Sequence, residues 1–204
     1  NTNKYENLYK KIKFHLIDRQ DKYNVTIDKG ILETIRNGNN TIFLRHSDDD
    51  TKDRDPYFDT LSIISDFDTI NLSETTKLSQ KGKIESEILS LFFKKNNISF
   101  EEVWSSPIAR SLETANYFSK NVNSPDFLYL DGSLNDASNL IEFSKLFYNV
   151  KKSKNILIIG HQDYPDMIGI PTNLNKSDFI VYNNISKRVI LHGSFKSITN
   201  YYTK

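Results

Sequence analysis

Three short stretches of this chain carry side chains suited to holding and attacking an anion. Thr41-Ile42-Phe43-Leu44-Arg45-His46-Ser47 is an apolar, β-forming run that stops abruptly at an arginine and a histidine. Val103-Trp104-Ser105-Ser106-Pro107-Ile108-Ala109-Arg110 and Asn155-Ile156-Leu157-Ile158-Ile159-Gly160-His161 repeat the pattern, each an apolar segment followed by a basic side chain. A guanidinium offers a planar fork of donors to phosphate oxygens, and a neutral imidazole can act as a nucleophile. Short apolar runs of this kind read as buried strands. In open α/β sheets ligands bind beyond the carboxyl ends of the strands, so three such ends could converge on one anion.

Taken singly, Arg45 and His46 also fit a helix-capping arginine and a satisfied core histidine. The combination of blocks favours chemistry. Arg45-His46, then Leu78-Ser79-x-x-Gly82, then Ser105-Ser106-Pro107 with Arg110, Thr114 and Ala115, then Gly160-His161 occur in this order over about residues 31 to 170. In type, order and rough spacing they resemble the signature blocks of the histidine phosphatase superfamily, also called phosphoglycerate mutase-like. The resemblance implies a metal-independent phosphomonoesterase acting through a phosphohistidine on His46, with Arg45, Arg110 and His161 forming the phosphate pocket. It implies no cofactor, and a phosphorylated small molecule or phosphoprotein as substrate.

Length and composition agree with that reading and narrow it. A chain of 204 residues, 37% hydrophobic and 26% charged, fits one domain over 1–204, with residues 1–27 as a flanking helix and linker. The net charge of +1 gives no reason to expect nucleic-acid binding, so any functional positive charge is local. No apolar run is long enough to span a bilayer. Cysteine is absent, which excludes disulfides, thiolate catalysis and Cys-ligated metals. The chain opens Asn1-Thr2-Asn3, as a processed or trimmed form would. Leu32-x-x-Ile35-Arg36-x-Gly38 before the first block resembles small bacterial histidine phosphatases, many of them exported, which favours export over a cytoplasmic location.

The elements that must position these residues follow from periodicity and punctuation. Residues 4 to 17 read as an amphipathic flank helix through Tyr5, Leu8, Tyr9, Ile12 and Phe14. Asp28 caps a helix over Lys29 to Asn37, stopped by Gly38. Ser79 caps another to Lys95, with Ile84, Ile88, Leu91 and Phe92 as its apolar face and Asn96-Asn97 ending it. Ile98 to Ser105 supplies the second strand, and Ser106-Pro107 starts a helix that runs through Tyr117 and Phe118 as core residues and carries Arg110 in or near its first turn. Thr114 and Ala115 serve close packing. Phe127 to Leu130 reads as a third strand, Asn135 or Asp136 as the cap of a helix containing Leu140, Ile141, Phe143, Leu146 and Phe147, and Ile156 to Ile159 as an interior parallel strand. Phe179 to Tyr182 and Arg188 to His192 close the chain as an antiparallel edge hairpin. The sum is a three-layer α/β sandwich with a mostly parallel sheet and helices on both faces. His15 and His192 read as structural or exposed.

Between His46 and Leu78 lie many aspartates, among them Asp48, Asp49 and Asp50. Without an Asp-x-Asp-x-Asp-Gly loop and closing Glu they read as a solvated, turn-rich segment rather than a metal site. Arg54 within it could pair with substrate oxygens, or could simply be exposed. Hydrolysis also needs a proton for the leaving alkoxide. Mutase-like relatives carry Leu-Asn-Glu after the third strand; here Leu134-Asn135-Asp136 stands, one methylene shorter, and Asp136 is the first candidate, with a helix-cap role equally open. Acid-phosphatase-like relatives place Asp directly after the second histidine; here Gln162 intervenes before Asp163, the second candidate. Ser47 occupies a position where Gly is commonest in the family and adds a small polar group beside the pocket. A phosphoglycerate mutase-type phosphotransferase and a catalytically silent phospho-ligand module are the alternatives. The acid position and the missing specificity insertions disfavour the first, and the presence of His46 disfavours the second.

Overall fold

The computed structural model describes residues 26–50, 76–130 and 137–202. The expected flank helix over residues 4 to 17, Arg54 and the Leu134-Asn135-Asp136 segment lie outside them. Among the described residues six strands form one sheet in the order β3-β2-β4-β1-β5-β6. They are β1 (Asn40–Arg45), β2 (Glu102–Ser105), β3 (Val122–Asn123), β4 (Asn155–Gly160), β5 (Phe179–Asn183) and β6 (Arg188–Gly193). The first four run parallel, and β5 and β6 form the antiparallel edge expected from the sequence.

Alternation along the central strands divides the core in two. Ile42 and Leu44 of β1, Leu157 and Ile159 of β4, and Phe179 and Val181 of β5 face one side. There they meet α1 (Lys29–Arg36), α2 (Gln80–Lys95), α3 (Ala109–Asn116) and α6 (Phe195–Tyr202) through Leu32, Ile35, Leu89, Phe92, Phe93, Ala115 and Ile198. Phe43, Ile156, Ile158, Ile180 and Tyr182 face the other side, against Phe143 and Phe147 of α4 (Ala137–Tyr148) and Tyr164 of the short α5 (Tyr164–Met167). This is the three-layer sandwich. No described helix is long and apolar enough to cross a membrane.

Register is fixed at the end of the sheet remote from Arg45. Asn40 pairs with Asn155 on one side and Asn183 on the other, and the three amides interlock. Asn40 Nδ2 donates to Asn155 Oδ1 at 2.8 Å, Asn183 Nδ2 donates to Asn40 Oδ1 at 2.9 Å, and Asn155 Nδ2 donates to Ile35 O at 2.8 Å. A one-residue slip would break this ladder and turn the apolar sets to the wrong faces. With this register Arg45 lies opposite Gly160 and Ser105 opposite Ile159, so the three parallel strands end side by side.

Several sequence expectations need correction. The run Phe127 to Leu130 is no strand: Asp126–Leu128 is a 3-10 turn opened by Pro125, and the edge strand is Val122–Asn123. The Tyr164 hydroxyl replaces the ladder there, donating to Leu128 O at 2.7 Å and accepting from Leu130 N at 3.0 Å. α3 starts at Ala109, two residues after Pro107, and stops at Asn116, leaving Tyr117 exposed. β2 begins only at Glu102. On α2 the buried face is Gly82, Glu85, Ser86, Leu89, Phe92 and Phe93, while Ile84 and Leu91 are exposed. Ile141 of α4 is likewise exposed. α6 was not anticipated; its signal is the Ser194-x-x-Ser197 pair, whose hydroxyls accept each other's backbone N–H. The caps at Asp28 and Ser79 are as expected, accepting from Ile31 N and Gly82 N.

Gly82 explains the Leu-Ser-x-x-Gly block. The turn after β1 lies directly on the first turn of α2, and a Cβ at Gly82 would fall 1.9 Å from Asp48 O. Ser79 binds the same turn, its N–H donating to Asp48 O and its hydroxyl to Asp48 Oδ2 at 2.7 Å. Gly82→Ala should therefore lower stability by about 1–3 kcal/mol, as overpacking does. Gly30→Ala, whose Cβ would meet only Asp28 Oδ1 at 3.4 Å, should raise stability by up to about 1 kcal/mol through helix propensity. Denaturant midpoints of the two variants check the contrast.

Candidate active site

β1 ends at Arg45 and delivers His46 immediately beyond the sheet. The His46 N–H donates to Gly160 O at 3.1 Å and its carbonyl accepts from Ser177 N, so the backbone stays anchored where the side chain leaves the ladder. β2 ends in Ser105, and Ser106 N donates to Ile159 O at 2.9 Å. β4 ends in Gly160, where any side chain would strike the Tyr164 ring at 2.7 Å, and His161 follows. Arg110 projects from the first turn of α3.

The His46 ring is buried and held from both sides. Its Nδ1 lies 2.9 Å from Ser47 O, and a carbonyl can only accept, so Nδ1 carries the proton. Its Nε2 accepts from Arg110 Nε at 3.1 Å. The ring is thus the Nδ1–H tautomer with a lone pair on Nε2. Burial, then the Arg110 charge, push its pKa well below the ordinary imidazole value, so the ring is neutral at neutral pH. His161 stands edge-on to it with ring centroids 5.2 Å apart, and its Nε2 is 3.2 Å from Ser106 Oγ. Burial, then His46 and Arg110, depress His161 as well.

Arg45 donates from Nη1 to Gln162 Oε1 at 3.0 Å and to Leu174 O at 2.7 Å. Its Nε is buried without a hydrogen-bond partner. Burial lowers the Arg45 pKa, an effect countered by Asp163 and Asp49. Four residues singled out from sequence, Arg45, His46, Arg110 and His161, are therefore together. Asp163 is exposed beside them, close enough to influence Arg45. Ser47 is buried and turned to α2: its hydroxyl accepts from Ser86 Oγ at 2.9 Å and its N–H donates to Thr114 Oγ1 at 3.1 Å. Thr114, read as a packing residue, also donates to Arg110 O and so ties the His46 turn to the Arg110 helix.

Sequence reasoning missed Asp49. It was read as one aspartate of a solvated segment, yet it is buried, 3.8 Å from His46 Nδ1, 3.5 Å from Arg110 Nε and 2.8 Å from Lys176 Nζ. The usable signal was its spacing of three residues from His46. Among the described residues no group of three or more His, Asp and Glu side chains could hold a metal ion.

No family model and no curated protein matches the chain. Solved structures do. The protein histidine phosphatase SixA complexed with tungstate superposes with a TM-score of 0.52 at 14% identity, covering 78% of this chain and 99% of its own. Phosphoserine phosphatase from Entamoeba histolytica gives 0.50 at 16%, covering 78% and 98%. The ecdysone phosphate phosphatase of Bombix mori, also with tungstate, gives 0.55 at 11%, covering 74% and 91%. The chain shares the fold of these phosphatases. Within this fold the chain's Arg45-His46, Arg110 and Gly160-His161 blocks all sit at one end of the parallel strands.

Two neutral histidines, His46 buried and His161 half-buried, make the fold sensitive to acid. Both bind a proton more weakly when folded than when unfolded, where the pKa is about 6.5. Above that pH neither state is charged there and nothing is lost. As pH falls through about 6.5 the unfolded chain takes up protons that the folded chain refuses, and stability drops until the depressed folded values are reached. A His46→Gln/His161→Gln double variant should show a shallower loss of denaturant midpoint between about pH 7 and pH 5.

Proposed function

We propose that the protein hydrolyses phosphomonoesters without a metal, through a phosphohistidine on His46. The observation that carries this is the His46 ring itself: neutral, fixed in the Nδ1–H tautomer, with its Nε2 lone pair facing Arg110 in a cluster with Arg45 and His161. A phosphoryl group in transfer spreads negative charge over its equatorial oxygens, which need positioned donors. Arg45, Arg110 and His161 supply them. His46 Nε2 attacks phosphorus, the ester oxygen leaves, and water then cleaves the phosphohistidine. That the neighbouring folds include phosphatases crystallised with tungstate supports the reading.

His46→Ala should abolish turnover of p-nitrophenyl phosphate while the protein stays folded. Labelled substrate should trap an acid-labile, base-stable phosphoenzyme in the wild type alone; equal activity in the variant would sink the assignment. Arg110→Ala should cost about 3 kcal/mol of transition-state stabilisation, on the order of a hundredfold in kcat. Arg110→Lys should recover little, because an ammonium cannot reproduce the guanidinium fork that reaches both His46 and the phosphoryl oxygens.

The proton donor for the leaving group is proposed to be Asp136, with Asp163 second. A general acid matters greatly for a sugar alkoxide and hardly for p-nitrophenolate, which departs unprotonated. Asp136→Asn should depress alkyl phosphate hydrolysis far more than p-nitrophenyl phosphate hydrolysis, and Asp163→Asn decides between the two. Loss of both activities in equal proportion in both variants means neither aspartate donates.

A further inference from the structure

Arg110 Nε donates to His46 Nε2, the lone pair that has to reach phosphorus. A hydrogen bond held there blocks attack, so Arg110 must release it as the phosphoryl group enters. Asp49 Oδ2 lies 3.5 Å from that same Nε and 3.8 Å from His46 Nδ1. Its other oxygen accepts from Lys176 Nζ at 2.8 Å. The carboxylate is buried between the Arg110 guanidinium and the Lys176 ammonium, a position suited to balancing charge at the His46 ring.

The attack forms the Nε2–P bond and breaks the P–O ester bond, whose electron pair goes to the leaving oxygen. Nδ1 keeps its proton, donated in a hydrogen bond to Ser47 O, so the ring, substituted on both nitrogens, becomes positively charged. Building on the phosphatase reading above, we propose that Asp49 is a positioning residue for this step. It accepts the Nε–H of Arg110 as that side chain leaves His46, and its charge balances the His46 ring while Nε2 is bonded to phosphorus. The same negative charge opposes a phosphate dianion in the resting pocket. Asp49 thus favours the transferring state over the bound one, the differential that accelerates a chemical step.

A residue that merely ties down its turn through Lys176 would behave differently, since loosening the turn weakens anion binding and catalysis together. The full chain and its Asp49→Asn and Asp49→Ala variants should be compared in two measurements: rapid-quench formation of phosphoenzyme from p-nitrophenyl phosphate, and calorimetric affinity for inorganic phosphate. Asp49→Asn keeps the shape and an acceptor for Lys176 but removes the charge. Its phosphoenzyme should form on the order of tenfold to a hundredfold more slowly, while inorganic phosphate binds severalfold more tightly. Asp49→Ala should move both quantities in the same directions, with the larger loss of rate. An unchanged rate, or rate and phosphate affinity lost together, overturns the inference. A wild-type protein that binds phosphate but never forms phosphoenzyme overturns the phosphatase reading instead. In that case phosphate affinity unchanged or weakened by Asp49→Asn overturns the role of Asp49 as well.

Discussion

The site depends on one ring held in one protonation state. His46 can present a lone pair on Nε2 only because Ser47 O accepts a hydrogen bond from Nδ1–H, which keeps the proton on that nitrogen, and burial disfavours a second one. That carbonyl is itself positioned by bonds on every side of the turn. Ser47 N is bound to Thr114, the Ser47 hydroxyl to Ser86, and the next peptide rests on the bare Cα of Gly82. Glu85 completes the support, accepting from Ser177 Oγ at 2.7 Å and from Asp48 N at 3.3 Å. A turn loosened at any of these points would let the imidazole rotate, and rotation by one nitrogen exchanges donor for acceptor.

Charge is arranged around that ring in near balance. Arg45 and Arg110 bring two positive charges to a partly buried end of the sheet, and Asp49, Asp163 and Asp178 moderate the first of them. Lys176 bridges Asp48 and Asp49, so the acidic side is fixed as firmly as the basic side. Unpaired charges in such surroundings cost several kcal/mol, whereas paired ones hold their geometry. The cluster can therefore hold its guanidiniums in place without a ligand, the preorganisation that the proposed phosphatase activity would require.

The parts of this arrangement legible in the sequence were those written in local code. Asp28 and Ser79 announce helix starts, Gly38 announces a stop with φ of 81°, and the unbroken Ile156-Leu157-Ile158-Ile159 run announces a strand covered on both faces. Arg45, His46, Arg110 and His161 were visible because each sits just beyond such a signal. What escaped depends on contacts across the fold. Phe127 to Leu130 has strand composition, but Tyr164, 34 residues from Leu130, satisfies its backbone and makes pairing unnecessary. Ile84 and Leu91 match a helical stripe, yet α2 is rotated so that Gly82 and Ser86 face the His46 turn. Asp49 looks like its acidic neighbours, and it is contacts across the fold, among them Leu78 bridging to it and Lys176 bonding to it, that take it out of water.

The two ends of the sheet show why the site tolerates its polar burden. At the amino ends of the parallel strands, Asn40, Asn155 and Asn183 satisfy one another and the carbonyl of Ile35, and this ladder fixes the strands in place. At the carboxyl ends the same register leaves Arg45 Nε buried with no partner, an arrangement that costs about 1–3 kcal/mol. Register set at one end is inherited at the other, because β1 and β4 stay paired from Asn40 and Asn155 to Arg45 and Gly160. The charge-dense end therefore need not contribute to its own alignment. The asparagines and the two apolar layers between hold the strand ends together, which leaves the side chains of that end available for the chemistry proposed above.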